Sequence, residues 1–346
     1  HSEGNKQLRG VDTAAAVPGT HIKSIVDDRF AGLRRLVTAP EGGKAPIDGM
    51  VARLAELQLH LNAVDIAGKS GSPPPANPIV NVVKTEASGS PEPLRSLLTT
   101  LVSNAENSAM GQLRETLGRD VRALVGTFCQ EAIAGRYPFD RGATREVTPA
   151  DFAAIFGPGG KMDQAMQKLE PYVDKSTQTW SFRPVNGTPL GLDSGWLPQF
   201  QRAQIIKETF FPAGAATPSL RLEFKPIEMD QAIAQFTLDV DGQIVKYAHG
   251  PQIPTPVQWP GTRGSNVVRL LLTPGGSGGM VMDGPWALFR MFDRVNLQPV
   301  PGASADKFRA LFDLEGRKAQ FDINASSVRN PFRLEALQAF RCPTGL

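Results

Sequence analysis

PAGAATP, residues 212–218, separates two hydrophobic periodicities in this 346-residue chain. Upstream, apolar residues recur every three or four positions, as in Leu113, Leu117, Val121, Leu124, Val125 and Phe128. That spacing places them on one stripe of an α-helix. Downstream the period falls to two. Leu220, Leu222 and Phe224 alternate with Arg221 and Glu223, the pattern of a strand with one buried face. The reading is an α+β multidomain chain: a helical bundle region, then a C-terminal β-sandwich.

Working upstream, Ile22, Ile25, Val26, Phe30, Leu33, Leu36 and Val37 predict a helix over 21–37. A second is marked by Met50, Leu54, Leu57, Leu61 and Val64, and ends near Gly68. Residues 68–78, rich in Gly, Ser and Pro, read as an exposed connector and a possible subdomain break. Leu94–Val102 and Leu113–Phe128 read as two further helices, the latter stopped by Gly135. Thr148 and Pro149 supply a cap and first-turn proline for a helix to Phe156. Met162–Leu169 and Gln199–Phe211 complete the set.

Downstream, Ala234–Val240 and Gln243–Tyr247 flank Asp241–Gly242, a strong two-residue hairpin signal. Val267–Leu272 reads as a central strand, apolar on both faces. Phe308–Leu314 and Ala319–Ile323 flank Glu315–Gly316 as a second hairpin. Pro285–Arg294 interrupts the strands with a helix, and Asn330–Pro331 caps a final short one. The expected domains are a disordered leader at 1–20, a helical region at 21–215 and a sandwich at 216–346. Opening on His1, the chain reads as an excised or processed piece.

The formal charge is +3, with Arg34–Arg35 the densest basic point, so the basic stripe that nucleic acid requires is missing. No run approaches the ~20 apolar residues of a membrane span, so this piece is not expected to touch a membrane itself. Cys129 and Cys342 have no metal-ligand spacing, and buried free thiols are favoured over a disulfide between them.

Candidate chemistry is sparse. His1, His21, His60 and His249 lack any HxxxH or HxH pattern, and no metal or other cofactor is expected. His249 stands next to Gly250–Pro251 and reads as a loop residue; Gly275–Gly279 spells GxSxG but falls between strands, not at the strand-to-helix elbow a triad serine needs. Gly157–Lys161 ends like a phosphate loop, but Met162 replaces the required Ser/Thr and the preceding segment is helical. Gly275–Gly279 reads as a hairpin tip. Asn186–Thr188 and Asn324–Ser326 match the glycosylation sequon, which short sequences meet by chance.

Six dense segments stand out: GRYPF (Gly135, Arg136, Tyr137, Pro138, Phe139), DFAAIFGPGG (151–160), QRAQIIKETFF (201–211), WPG (Trp259, Pro260, Gly261), DGPWALFRMFD (283–293, with Gly284, Pro285 and Trp286) and FRCP (340–343). Each is read as a packing motif, with no catalytic residue among them.

In this order the segments resemble the C-terminal periplasmic region of the IcmF/TssM family of type VI secretion systems, from about Ile79 to Leu346. The resemblance implies a piece of an inner-membrane-anchored protein whose helical modules precede a β-rich module. It implies binding of the outer-membrane lipoprotein TssJ by the β module, assembly with the inner-membrane protein TssL, and self-association in the full complex. Lipoprotein contacts are expected on exposed loops or edge strands within 219–330, and no enzymatic activity is expected. The competing readings are a peptidoglycan hydrolase built on His249 and a carbohydrate-binding module using exposed Trp180, Trp196 or Trp259.

Overall fold

The computed structural model describes residues 25–70, 75, 77–185, 187–275 and 279–343, with side chains from residue 30 onward. The expected leader at 1–20, the first turn of the predicted 21–37 helix and the tip of Gly275–Gly279 lie outside these residues. The chain forms two compact units. One comprises the residues up to Thr116 with Pro184–Gly191; the other comprises Leu117–Arg183 and Leu192–Leu346.

The first unit is helical: α1 (Ile25–Val37), α2 (Pro46–Ser70), α3 (Ile79–Gly89) and the start of α4 (Leu94–Val121). Leu57, Ile79, Val80, Val83 and Val102 form its core, with Leu54 and Leu61 packed against them. Arg53–Glu86 and Lys84–Glu106 ion pairs, each 2.7 Å, brace the surface. His60 is buried, and desolvation lowers its pKa, which keeps the imidazole neutral. Helix α3 has no counterpart in the periodicity reading. The predicted Leu94–Val102 and Leu113–Phe128 helices are instead joined in α4, which continues through a π-helical turn, Arg122–Gly126, into α5 (Thr127–Ala132). The intervening run, 103–112, contains no Pro, and its single Gly111 costs only about 1 kcal/mol in a helix interior, so the helix runs through.

The second unit adds α6 (Pro149–Phe156), α7 (Lys161–Leu169), the small β1–β2 hairpin (Val173–Asp174, Ser181–Phe182) and α8 (Leu197–Phe210). The predicted cap is formed: Thr148 Oγ1 accepts the Asp151 N–H at 3.0 Å. After PAGAATP the strands begin: β3 (Leu220–Met229), β4 (Gln235–Val240), β5 (Gln243–Tyr247), β6 (Thr255–Trp259), β7 (Val267–Thr273) and β8 (Met280–Asp283). Helix α9 (Ala287–Asp293) intervenes before β9 (Asn296–Pro299), β10 (Lys307–Leu314) and β11 (Arg317–Ala325); α10 (Glu335–Ala339) follows.

The strands make two antiparallel sheets, ordered β6-β3-β11-β10-β9 and β5-β4-β7-β8. They meet face to face: the Phe236 ring from β4 lies 4.5 Å from Phe321 and 5.2 Å from Phe312. The Asp241–Gly242 hairpin forms with positive φ at both residues, 47° and 98°, the primed turn that matches strand twist. One side of the sandwich is sealed by a side chain. Gln243 donates to the Gln258 carbonyl and accepts the Gln258 N–H, both at 2.7 Å, joining edge strands β5 and β6.

Two sequence expectations are corrected. Cys129 and Cys342 are joined in a disulfide, not free, because the chain end returns to α5 and brings their Cα atoms to 5.6 Å. Strand β7 is buried on one face only, with Arg269 and Leu271 exposed on the other, because among the described residues no layer covers that side of its sheet. Trp259 is buried at 3% exposure, which is the favoured reading of the aromatics and removes it from the carbohydrate-binding alternative. The change of secondary structure at 215 also does not coincide with the unit boundary at Thr116/Leu117. Aromatic packing of α6 and α8 onto the sandwich is the physical reason.

Candidate functional site

All six dense segments lie in the second unit, and side chains from each meet in one aromatic junction. Phe152 and Phe156 (α6), Phe210 and Phe211 (end of α8), Trp259 (β6), Trp286 and Phe289 (around α9), and Phe340 form the chain of rings. Trp286 is fully buried at its centre, 5.2 Å from Phe152, 4.9 Å from Trp259 and 5.0 Å from Phe289. Both indoles are satisfied: Trp286 Nε1 donates to the Val147 carbonyl at 2.8 Å, and Trp259 Nε1 to the Pro285 carbonyl at 3.1 Å.

Beside the rings runs a polar network. Gly135, at φ 64°, lets the chain leave α5, and Arg136 donates back to the Glu131 carbonyl at 2.8 Å. Tyr137 pairs its backbone with the Arg145–Val147 segment and donates its hydroxyl to Asp293 at 2.7 Å. Arg290 lies 4.0 Å over the Tyr137 ring, bonds the Glu146 carboxylate, and donates to the Ala143 carbonyl at 3.0 Å. Glu146 also accepts the Trp286 N–H at 3.2 Å. Gly284, at φ 105°, approaches so closely that a Cβ there would strike the Glu146 carboxylate. Pro138 and Pro260 follow cis peptide bonds, and Phe139 stacks on Phe156 at 5.6 Å. A Cβ on Gly261 would strike Asp241.

Asp241 organises the neighbouring loop. It accepts from the Gly264 N–H at 2.8 Å, the Ser265 N–H at 2.9 Å and the Ser265 hydroxyl. Burial opposes its ionisation, but these hydrogen bonds outweigh burial and hold its carboxyl below the usual range. Tyr137 titrates in the opposite sense: burial first, then the bond to Asp293, raises its phenol far above its ordinary value. Burial raises Tyr172 to about 12. Both groups are neutral in the folded chain, whereas an unfolded tyrosine ionises near its ordinary value of 10.0. Their contribution to stability is therefore complete below pH 10 and is lost as pH rises from there through the folded values. Thermal melts across pH 9–12 are expected to fall in this window, and Tyr137→Phe is expected to flatten the fall.

The remaining sequence candidates are dispersed. His249, at φ 56°, has Nε2 2.6 Å from the Ile233 carbonyl oxygen, so that nitrogen is protonated and donates. Lys161 begins α7 and places its ammonium 5.0 Å over the Phe128 ring, and Gly159 N–H is taken by Asp163; the preceding α6 is helical, as read. Trp180 lies under Lys175 Nζ at 5.0 Å, and Trp196 lines a hollow of about 680 Å³ with Phe139, Gln338 and Arg341. Among the described residues no three His, Cys, Asp or Glu side chains gather to hold a metal, and no helix is long and apolar enough to cross a membrane. Asp293 and Glu146, the acids of the network, were not singled out in the sequence. Asp293 closes the DGPWALFRMFD segment, whereas Glu146 lies outside all six segments and carries no such signal.

Comparisons with known proteins agree with this architecture. Residues 222–327 match the family model described as the type VI secretion protein IcmF C2-like domain. The chain is 37% identical over 333 residues to the type VI secretion system component TssM1 of Pseudomonas aeruginosa, covering 93% of this chain and 30% of that protein. It therefore spans less than a third of the curated relative's length. Among solved structures, the TssM C-terminal domain from EAEC superposes with a TM-score of 0.56 and 19% identity, over 66% of this chain and 95% of that one. A chain titled as a type VI secretion system membrane core complex superposes with a TM-score of 0.67 and 17% identity, over 98% of this chain and 76% of that one. At these identities the two structures speak for the fold.

Proposed function

Given that this chain belongs to the IcmF/TssM family of type VI secretion proteins, we propose that it is a non-catalytic periplasmic scaffold of the secretion membrane complex. Its sandwich binds the outer-membrane lipoprotein through residues within 219–330, and the full-length protein thereby links the two membranes. Assembly with a TssL-like protein and self-association belong to the same proposal.

One observation carries the scaffold reading. The residues that make the sequence distinctive are spent on locking the sandwich to the helices from α5 to α8. Tyr137, Glu146, Trp259, Trp286 and Arg290 are all engaged within the junction. A rigidly mounted β-sandwich is a platform for a partner. The Cys129–Cys342 disulfide supports an oxidising compartment such as the periplasm.

Titration calorimetry of the chain against the soluble, unlipidated form of the secretion lipoprotein tests the proposal. Saturable binding is expected. A fragment meant to isolate the sandwich should begin near Leu117, because a start near Ala215 strips Phe152, Phe156 and Phe210 from Trp286 and Trp259. Failure of the folded chain to bind would remove the lipoprotein from the account.

A further inference from the structure

The returning C-terminal segment borders two hollows, and they differ in charge. In the larger, beside Trp196, the basic groups are already engaged. Arg341 donates to the Gln338 and Phe340 carbonyls at 2.7 Å, Arg141 pairs with Asp293 at 3.4 Å, and Asp140 adds a negative charge to the lining. The smaller, of about 470 Å³, is lined by α8 and residues 329–336. Arg202, Arg329 and Arg333 face it, against Glu335 as its one acid.

These three guanidiniums are weakly committed. Among the described residues Arg202 makes no hydrogen bond or ion pair. Arg329 comes only to 3.8 Å from Glu208, a carboxylate to which Gln204 already donates at 2.9 Å. Arg333 stands 3.6 Å from Asp293, which takes the Tyr137 hydroxyl at 2.7 Å and is shared with Arg141. Glu335 pairs with none of them. An unpaired arginine on an open strand, such as Arg269, is bathed in water. Around a concavity less water screens the charges, and their fields add. Ile205 and Leu334 give the same hollow an apolar wall.

Guanidinium N–H groups match phosphate oxygens in geometry and charge. A phosphomonoester offers three such oxygens and close to two negative charges, enough for several arginines at once. The hollow is of ligand size, and its apolar wall suits an organic substituent. We propose that it is a binding site for a phosphomonoester, whose phosphate is held by Arg202, Arg329 and Arg333 and whose organic part lies on Ile205 and Leu334. A soluble phosphate ester and the headgroup of phosphatidic acid share this chemistry. The site is independent of whichever protein the sandwich binds.

Two assays separate the sources. Calorimetric titration with glycerol 3-phosphate reads the soluble one. Co-sedimentation with phosphatidylcholine vesicles, with and without phosphatidic acid, reads the lipid one. The proteins compared are the parent, Arg202→Ala, Arg329→Ala and, on β7 outside the hollow, Arg269→Ala; thermal melts check that each is folded. Arg333 is left intact because it also meets Asp293 in the junction. Saturable binding in at least one assay is expected, weakened roughly tenfold by Arg202→Ala or Arg329→Ala and unchanged by Arg269→Ala. Glycerol 3-phosphate binding without vesicle recruitment identifies a free ester, and recruitment that needs phosphatidic acid identifies a headgroup. No binding by the parent in either assay would overturn the site. So would parent-like binding by Arg202→Ala and Arg329→Ala, or an equal loss in Arg269→Ala.

Discussion

Trp286→Ala is expected to destabilise the second unit by roughly 3–5 kcal/mol, the usual cost of emptying a large buried aromatic site. Trp286 has no exposed surface, and four aromatic side chains from α6, α8, β6 and α9 lie within 6.1 Å of its ring. These neighbours are rigid aromatics fixed by their own packing, so little collapse into the space is available and the upper part of that range applies. The substitution also strands the Val147 carbonyl, which adds about 1 kcal/mol. In a unit of this size each kcal/mol lowers the melting temperature by roughly 2–4 °C, which gives a drop of order 10 °C. Trp286→Phe keeps much of the packing and loses only the indole bond, so it is expected to cost about 1–2 kcal/mol. Calorimetric melts of the three proteins decide the matter. Because the ring bridges helices and sheets, both are expected to unfold in one transition. A Trp286→Ala protein that melts with the parent would show that the junction is not what mounts the sandwich.

Removing the Cys129–Cys342 disulfide is the second large effect. The bond closes a loop with a sequence separation of 213 residues. On the chain-entropy account, a loop of that length stabilises by roughly 5 kcal/mol, and measured losses for native disulfides run about 2–5 kcal/mol. The lower part is expected here, because the tail has other anchors. Phe340 packs on Phe156 at 5.0 Å, and Arg341 N–H donates to Gln199 at 2.7 Å. A Cys129→Ala/Cys342→Ala protein is thus expected to fold with the tail in place, but to unfold at lower denaturant. Both sulfurs are buried, so reductant should act slowly on the native chain and quickly once it is unfolded. Equilibrium denaturation with and without reductant measures the difference. An unchanged midpoint would mean that the returning tail is held by its noncovalent contacts alone.

Much of the fold was legible because it is written in neighbouring residues. Alternation at Leu220–Phe224, the Asp241–Gly242 turn, the Thr148–Pro149 cap and the Asn330–Pro331 cap each depend on a few adjacent side chains and their own backbone. Errors arose where a local rule was silent. The 103–112 run carries no clear apolar stripe, yet it has no proline and one glycine is too weak a breaker to end a helix, so α4 continues. The short edge strands β6, β8 and β9 are only four or five residues long and give too little alternation to read.

The sequence by itself determined the two architectures, their order, and the identity of the segments that distinguish the chain. Periodicity, turns and caps are properties of contiguous residues, so they survive without a third dimension. The tertiary structure alone decided that GRYPF and DGPWALFR belong to one junction, with Tyr137 bonded to Asp293 across 156 residues of sequence. It alone paired the cysteines, buried Trp259, and left Arg269 and Leu271 facing outward from β7. Each of these depends on which distant surface comes to rest against a side chain. That is settled by the packing of the whole unit, and no window of the sequence contains it.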